Sequence, residues 1–207
     1  MIQYFMMAGA TGGGANPPSS PIQYIFDGDS ITAGNRVGEN QDYPYNTWIL
    51  IERTVDNYQN IGIGSQTVAQ MLAKVNSDVI SRFNPNKRNA VILLGGINDI
   101  ALGSTEAEVY TDLKAYWSAI RGAGGIIIAA TLLPATGYLT ERNNLNTLIK
   151  SDPSLYDGMI DFASNTLIGQ DDDQLNTDYY LPDELHPNYN GNKIMASDAK
   201  SYTNFLR

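Results

Sequence analysis

The most constraining features of this chain are two uninterrupted apolar runs, AVILLGG (Ala90–Gly96) and GIIIAATLLP (Gly125–Pro134). A strand with one wet face alternates apolar and polar residues, whereas one without a polar face must be covered on both sides. Strands of the second kind belong to parallel sheets clad by helices. The rest of the chain fits that reading. IQYIF (Ile22–Phe26), NYQNIGI (Asn57–Ile63) and MIDFA (Met159–Ala163) read as three further strands. Helical patterns lie between them. Tyr43–Val55 offers Trp48, Ile49 and Ile51 as a buried side. Thr67–Phe83 places Val68, Met71, Leu72, Val75, Val79 and Ile80 near a 3.6-residue period. The segment STEAEVYTDLKAYWSAIRGAG opens with Thr105 and Glu108 in capping-box spacing and closes on glycines. Leu139–Lys150 and Asn190–Leu206 complete the set. The alternation predicts an α/β domain with a parallel sheet of about five strands and helices on both faces. Right-handed crossovers then bring all strand C-termini to one edge, where ligands bind in such folds.

Composition narrows the chemistry. At 207 residues the chain suggests one domain, and 43% hydrophobic with 17% charged residues marks it as globular. A net charge of −9 argues against a nucleic-acid partner, which would require a basic face. With no cysteine, thiolate nucleophiles and disulfide frameworks are excluded. A single histidine, His186, must serve any chemistry that needs imidazole. No apolar run approaches the roughly 20 residues needed to span a bilayer. Residues 1–21, ending in TGGGANPPSSP, read as a flexible Gly/Pro-rich leader ahead of a domain from 22 to 207. The first basic residue is Arg36, so the leader makes a poor secretory signal, and location and oligomeric state stay open.

The loops after the strands carry the candidate site. The stretch IFDGDSITAG admits two readings. Asp27 and Asp29 can serve a metal-assisted phosphatase, with Asp171–Asp173 as distant metal acids. Alternatively Ser30 is a nucleophile and the aspartates frame its turn. A serine hydroxyl needs a base, and the base needs an orienting partner. His186 is the one imidazole, and Asp183, three residues earlier, is placed to hold its Nδ1–H. Pro187 disfavours helix at His186 and stiffens that loop. Acyl transfer also needs donors for an oxyanion. Asn98 offers a side-chain N–H, the turn at Gly62–Ser65 a backbone N–H, and Ser30 its own. Asp29 and Asp99 read as structural, with Asp27 either bracing the strand end or lining the pocket rim. Tyr179 and Tyr180 read as loop packing with a possible place beside an acyl or sugar subsite. Trp48 and Trp117 read as core.

Four short blocks in order give a specific resemblance: GDSITAG (Gly28–Gly34), NIGIGSQT (Asn60–Thr67), GIND (Gly96–Asp99) and DELHPN (Asp183–Asn188). The chain resembles the SGNH hydrolases, or GDSL-type esterases. The resemblance implies a flavodoxin-like three-layer α/β/α domain. It also implies metal-free, cofactor-free ester hydrolysis through an acyl-serine, with catalytic Ser30, His186 and Asp183 and an oxyanion hole from Ser30, Asn98 and the second block. There the family usually carries glycine at the position of Ser65, so the donor is either Ser65 or, one residue earlier, Gly64. The substrate expected is a short-chain ester, acetyl above all, on a carbohydrate or other small molecule. A short-chain lipase, a thioesterase and a non-catalytic carbohydrate-binding module are the alternatives.

Overall fold

A computed structural model describes residues 20–52, 56–203 and 206. Five parallel strands form one sheet in the order β2-β1-β3-β4-β5. They are β1 (Ile22–Gly28), β2 (Asn57–Asn60), β3 (Arg88–Leu94), β4 (Ile126–Ala130) and β5 (Gly158–Ile160). The chain steps one way from β1 to β2, then returns past β1 to β3, which makes the β1/β3 seam the switch point of the sheet. Most of the leader expected at residues 1–21 lies outside the described residues.

Alternate strand residues feed two cores. Ile25, Val91, Leu93, Ile127 and Ala129 pack on one side beneath α3 (Val68–Lys74), α5 (Glu106–Gly122) and α6 (Leu139–Ser151). Ile22, Tyr24, Phe26, Ile92, Leu94 and Ile128 point the other way, against α2 (Tyr43–Ile51) and α7 (Tyr189–Thr203). This is the covered parallel sheet that the apolar runs required. The fold is the flavodoxin-like α/β/α sandwich.

Several helices differ in detail from the sequence reading. In α2 the buried positions are Tyr43, Thr47 and Ile51, together with Pro44. Spacing by four residues puts Trp48 and Ile49 off that stripe. Ile49 is 52% exposed, and Trp48 instead stacks on Tyr58 at 5.4 Å. Asp42 sets the phase, because its carboxylate caps the helix through Tyr45 N–H at 2.8 Å. The helix expected over Thr67–Phe83 stops at Lys74, widens into a π-turn at Val75–Val79 and ends as a 3-10 turn. The wide turn keeps Val75 and Val79 buried while Leu72 and Ile80 move to the margin. Pairing in β2 ends at Asn60, although Ile61 and Ile63 still donate to Phe26 and Gly28 carbonyls at 2.9 Å. The capping box of α5 forms as its sequence predicts.

Candidate active site

Strand β1 delivers the first residue. It runs into Gly28, where an added Cβ would lie 2.3 Å from both the Leu94 carbonyl and Thr32 Oγ1. Only glycine fits between the end of β3 and the turn that follows. Asp29 then caps the short helix α1 (Ser30–Ala33), its carboxylate accepting from Ile31 N–H at 2.9 Å. Ser30 is thereby fixed as the first helical residue. Its own N–H is among the helix-start donors that have no partner within the helix.

The far end of the chain meets it there. Ser30 Oγ lies 2.8 Å from His186 Nε2, and His186 Nδ1 lies 2.9 Å from Asp183 Oδ2. Asp183 Oδ1 also accepts from the backbone N–H groups of His186 and Leu185 at 3.0 and 3.2 Å. The Asp183 carboxylate holds Nδ1–H, which leaves Nε2 free to accept from the serine hydroxyl. Burial works upward on Asp183, but these hydrogen bonds and the nearby imidazole outweigh it and hold the carboxyl below its ordinary value. The histidine loop is tied down on both sides: Leu181 N–H donates to His186 O at 2.9 Å and Asn188 Nδ2 to Thr177 O at 3.0 Å. His186 is 7% exposed. Chemically, this chain of bonds can draw a proton from Ser30 and return it to a leaving group.

The loops after β2 and β3 flank Ser30 from its two neighbouring strands. Ile63–Gln66 is a tight turn closed by Gln66 N–H to Ile63 O at 3.2 Å. Ser65, not Gly64, adopts the left-handed conformation, at φ 62°. An added Cβ on Gly64 would lie 2.9 Å from Asn35 Nδ2, so close approach explains that glycine. Asn98, early in α4 (Ile97–Ala101), donates through Nδ2 to Gln66 O at 3.0 Å, which locks its amide to the same turn. Asp99, 3% exposed, accepts from Val68 N–H at 2.9 Å and so joins the GIND loop to the start of α3. Burial raises the Asp99 carboxyl above its ordinary value, against the pull of the Val68 and Ala69 N–H groups.

The remaining aspartates fall into place. Asp27 is 4% exposed and accepts from Tyr116 Oη at 2.6 Å and from Gly28 N–H at 2.8 Å. Burial pushes its carboxyl up while those two bonds hold it down. It braces the strand end from below. Asp171 faces Arg142 at 3.2 Å and Asn143 at 3.0 Å, so its carboxylate serves an ion pair away from Asp27. Tyr180 is buried, its hydroxyl donating to Ile168 O at 2.5 Å, while Tyr179 packs at the edge of the same core. Sequence reasoning missed Tyr116, Gln66 and the clamp on Leu132. There Asn146 binds the backbone N–H and carbonyl of Leu132 at 2.7 and 2.9 Å, and Arg142 Nε donates to the same carbonyl at 2.9 Å. The place of Arg142 on the same helical stripe as Leu145 and Ile149 was the one sequence signal for it.

The sequence profile of the GDSL-like lipase/acylhydrolase family matches residues 26–194. No curated protein sequence matches the chain. Solved structures share the fold. A member of the lipolytic G-D-S-L family from Veillonella parvula superposes with a TM-score of 0.72 at 22% identity, covering 87% of this chain and 97% of that one. A G-D-S-L lipolytic protein from Desulfitobacterium hafniense gives 0.72 at 20%, covering 86% and 98%. The psychrotrophic esterase EstA from a Pseudoalteromonas species, in a form inhibited by monoethylphosphonate, gives 0.71 at 17%, covering 89% and 98%. At these identities the likeness speaks for the fold.

Proposed function

We propose that this chain, which belongs to the GDSL-like lipase/acylhydrolase family, hydrolyses short-chain esters, acetyl esters first, through an acyl intermediate on Ser30. The observation that carries the reading is the bonded series Ser30 Oγ, His186 Nε2, His186 Nδ1 and Asp183 Oδ2, each link under 3 Å. In this reading Ser30 attacks the acyl carbon as His186 takes its proton, and Asp183 keeps the imidazole in the required tautomer. The oxyanion is met by the N–H of Ser30, the N–H of Ser65 and Asn98 Nδ2. Ser65 is favoured over Gly64 because it occupies the left-handed position of the turn, where the family carries glycine. Collapse sends the His186 proton to the departing alcohol. Water then attacks the acyl-serine with His186 again as base.

A short acyl group suits the space. The recess lined by Ser30's two chain neighbours, Asp29 and Ile31, with Leu94, Ile97, Leu132, Leu133 and Leu185 measures only about 10 Å³, room for no more than the methyl end of an acyl group. A longer chain entering that recess would have to displace the Leu132 backbone, which Asn146 and Arg142 clamp. For the alcohol we favour a carbohydrate. A shallow depression of about 700 Å³ begins at Asn190, past the histidine loop, and sets the Tyr179 ring among Asn165, Lys193 and Asp198. An aromatic residue among hydrogen-bonding side chains, with Leu167 and Ile194 beside them, suits a sugar ring.

The test is turnover of p-nitrophenyl esters of increasing acyl length, beside acetate release from O-acetylated glycans. Wild type is expected to prefer acetyl, and Ser30→Ala to fall to the uncatalysed rate. Equal rates in both proteins would remove Ser30 from the mechanism. A phosphonate ester, the inhibitor class seen with EstA, is expected to label Ser30 alone.

A further inference from the structure

Beside the Ser30–His186 pair lies a small recess that the acylation half of the reaction leaves unused. It measures about 10 Å³ and is lined by Ser30, Ile31, Gly34, Arg36, His186 and Asn192, among others. A space of that size holds one water. Asn192, in the first turn of α7, is 2% exposed. The amino end of its amide is committed: Nδ2 donates to Pro187 O and to Asn188 O, both at 3.0 Å. Its Oδ1 is buried and has no partner among the described residues. A buried carbonyl oxygen without a donor is costly, and such groups are normally satisfied by protein or by ordered water. Asn192, with its unmet acceptor, thus lines the same small recess as Ser30 and His186.

We propose that Asn192 Oδ1 holds and orients the water that hydrolyses the acyl-serine. The inference rests on the esterase reading above. In that step the water oxygen bonds to the acyl carbon. One of its protons passes to His186 Nε2, while the other is bonded to Asn192 Oδ1. The tetrahedral intermediate collapses by breaking the bond from carbon to Ser30 Oγ. His186 returns the proton to that oxygen, and the carboxylic acid leaves. The acylation half makes no such demand. The departing alcohol oxygen receives its proton from His186 and brings no second O–H, so Asn192 has nothing to hold. Asn192 is therefore expected to act on deacylation selectively.

The test separates the two halves with p-nitrophenyl acetate, by rapid-mixing burst and by mass measurement of the protein. Acetylation of Ser30 in wild type, absent in Ser30→Ala, tests the esterase reading by itself. Release of p-nitrophenol no faster in wild type than in Ser30→Ala would sink that reading without reference to Asn192. Given acetylation, Asn192→Ala is expected to slow deacylation roughly tenfold, the loss of about one hydrogen bond, with the burst rate nearly unchanged and acetyl-enzyme accumulating. Asn192→Asp removes the donors to Pro187 and Asn188 but keeps an acceptor oxygen, so its deacylation is expected to stay well above that of Asn192→Ala. If Asn192 only anchors the start of α7, both variants lose the same bonds and slow alike, which overturns the proposal. Equal slowing of acylation and deacylation in Asn192→Ala overturns it as well. Partitioning of the acetyl-enzyme offers a measurement in which folding losses cancel. Methanol gives its one O–H to His186 and has none for Asn192, so the ratio of methyl acetate to acetate formed in added methanol should rise in Asn192→Ala relative to wild type. An unchanged ratio overturns the proposal.

Discussion

Replacing Asp29 by asparagine should make this protein progressively more stable relative to wild type as pH rises from acid to neutral. Asp29 is 1% exposed, directly before Ser30. Burial pushes its carboxyl from 3.8 up to about 7; the Ile31 N–H pulls it down and the charge of Asp99 adds to the rise. The folded value thus lies above the unfolded one. Below pH 3.8 the group is protonated in both states and costs nothing. Between 3.8 and about 7 the protein takes up a proton as it folds, so stability contributed by this group falls as pH rises. Above about 7 the loss is complete. At 1.36 kcal/mol per pH unit the interval sets a ceiling of about 4 kcal/mol. Asparagine keeps an oxygen for Ile31 N–H and caps a helix as well as aspartate does, but it cannot ionise. Its extra amide hydrogens add a fixed penalty, so the signature is the slope with pH rather than the offset. Urea unfolding at pH 4.5, 6 and 8, followed by tryptophan fluorescence, gives the difference between variant and wild type. The advantage of Asp29→Asn should grow by about 2–4 kcal/mol across that range. The depressed Asp183 works in the opposite sense, its contribution being lost as pH falls through its folded value, but it is common to both proteins and cancels. A difference that does not vary with pH would refute a buried, proton-binding Asp29.

Other substitutions probe the frame around it. Tyr116→Phe strands the Asp27 carboxyl without its 2.6 Å donor and should cost about 2–3 kcal/mol in chemical denaturation, with ester turnover per folded molecule retained. Asn98→Ala removes both the tie to Gln66 O and a proposed oxyanion donor; kcat should fall about 10²–10³-fold in steady-state assays with KM little changed. Gly28→Ala drives a methyl into the Leu94 carbonyl at 2.3 Å and should lower stability by about 3 kcal/mol, read as a fall in Tm. Ser65→Gly relieves a left-handed serine at φ 62°, and a thermal melt should show it no less stable than wild type.

The sheet was legible in the sequence because its signal is one of composition: Val91, Ile92, Leu93 and Leu94 leave no polar face, whichever register they adopt. Helix faces were less so. Trp48 and Ile49 looked like a buried side because they are apolar, but the phase of α2 is set by the Asp42 cap, which hydropathy does not register. The break after Lys74 was invisible for a related reason. A π-turn keeps the apolar spacing of Val75 and Val79 nearly intact while changing the backbone beneath it. At the site, Ser30, His186 and Asp183 stood out because four blocks resembling one family carry them in order and the chain has one imidazole. Their supports did not stand out. Tyr116 is 89 residues from Asp27, and Gln66 acts through a backbone carbonyl that any residue would supply.

Those supports explain why the aspartates of the GDS turn belong to the frame. Asp27, Asp29 and Asp99 all sit under the loops that carry Ser30 and Asn98, all are nearly excluded from water, and all have carboxyls raised by burial. Each is spent on backbone N–H groups: Gly28 for Asp27, Ile31 for Asp29, Val68 for Asp99. A carboxylate used this way fixes a loop more firmly than a neutral group would, since its bonds are charge-assisted, but burying it is expensive. The three together hold the ends of β1 and β3 and the start of α3 as one unit. The Ser65 turn and Asn98 are bonded to each other within that unit, through Gln66 O. The proposed oxyanion donors must be in position before a negative charge appears, and three buried carboxylates that position them from behind also place their own charge near it. The raised carboxyl of Asp29 eases that conflict, because burial pushes it up to about 7 and so favours the neutral form, whose oxygen still caps α1.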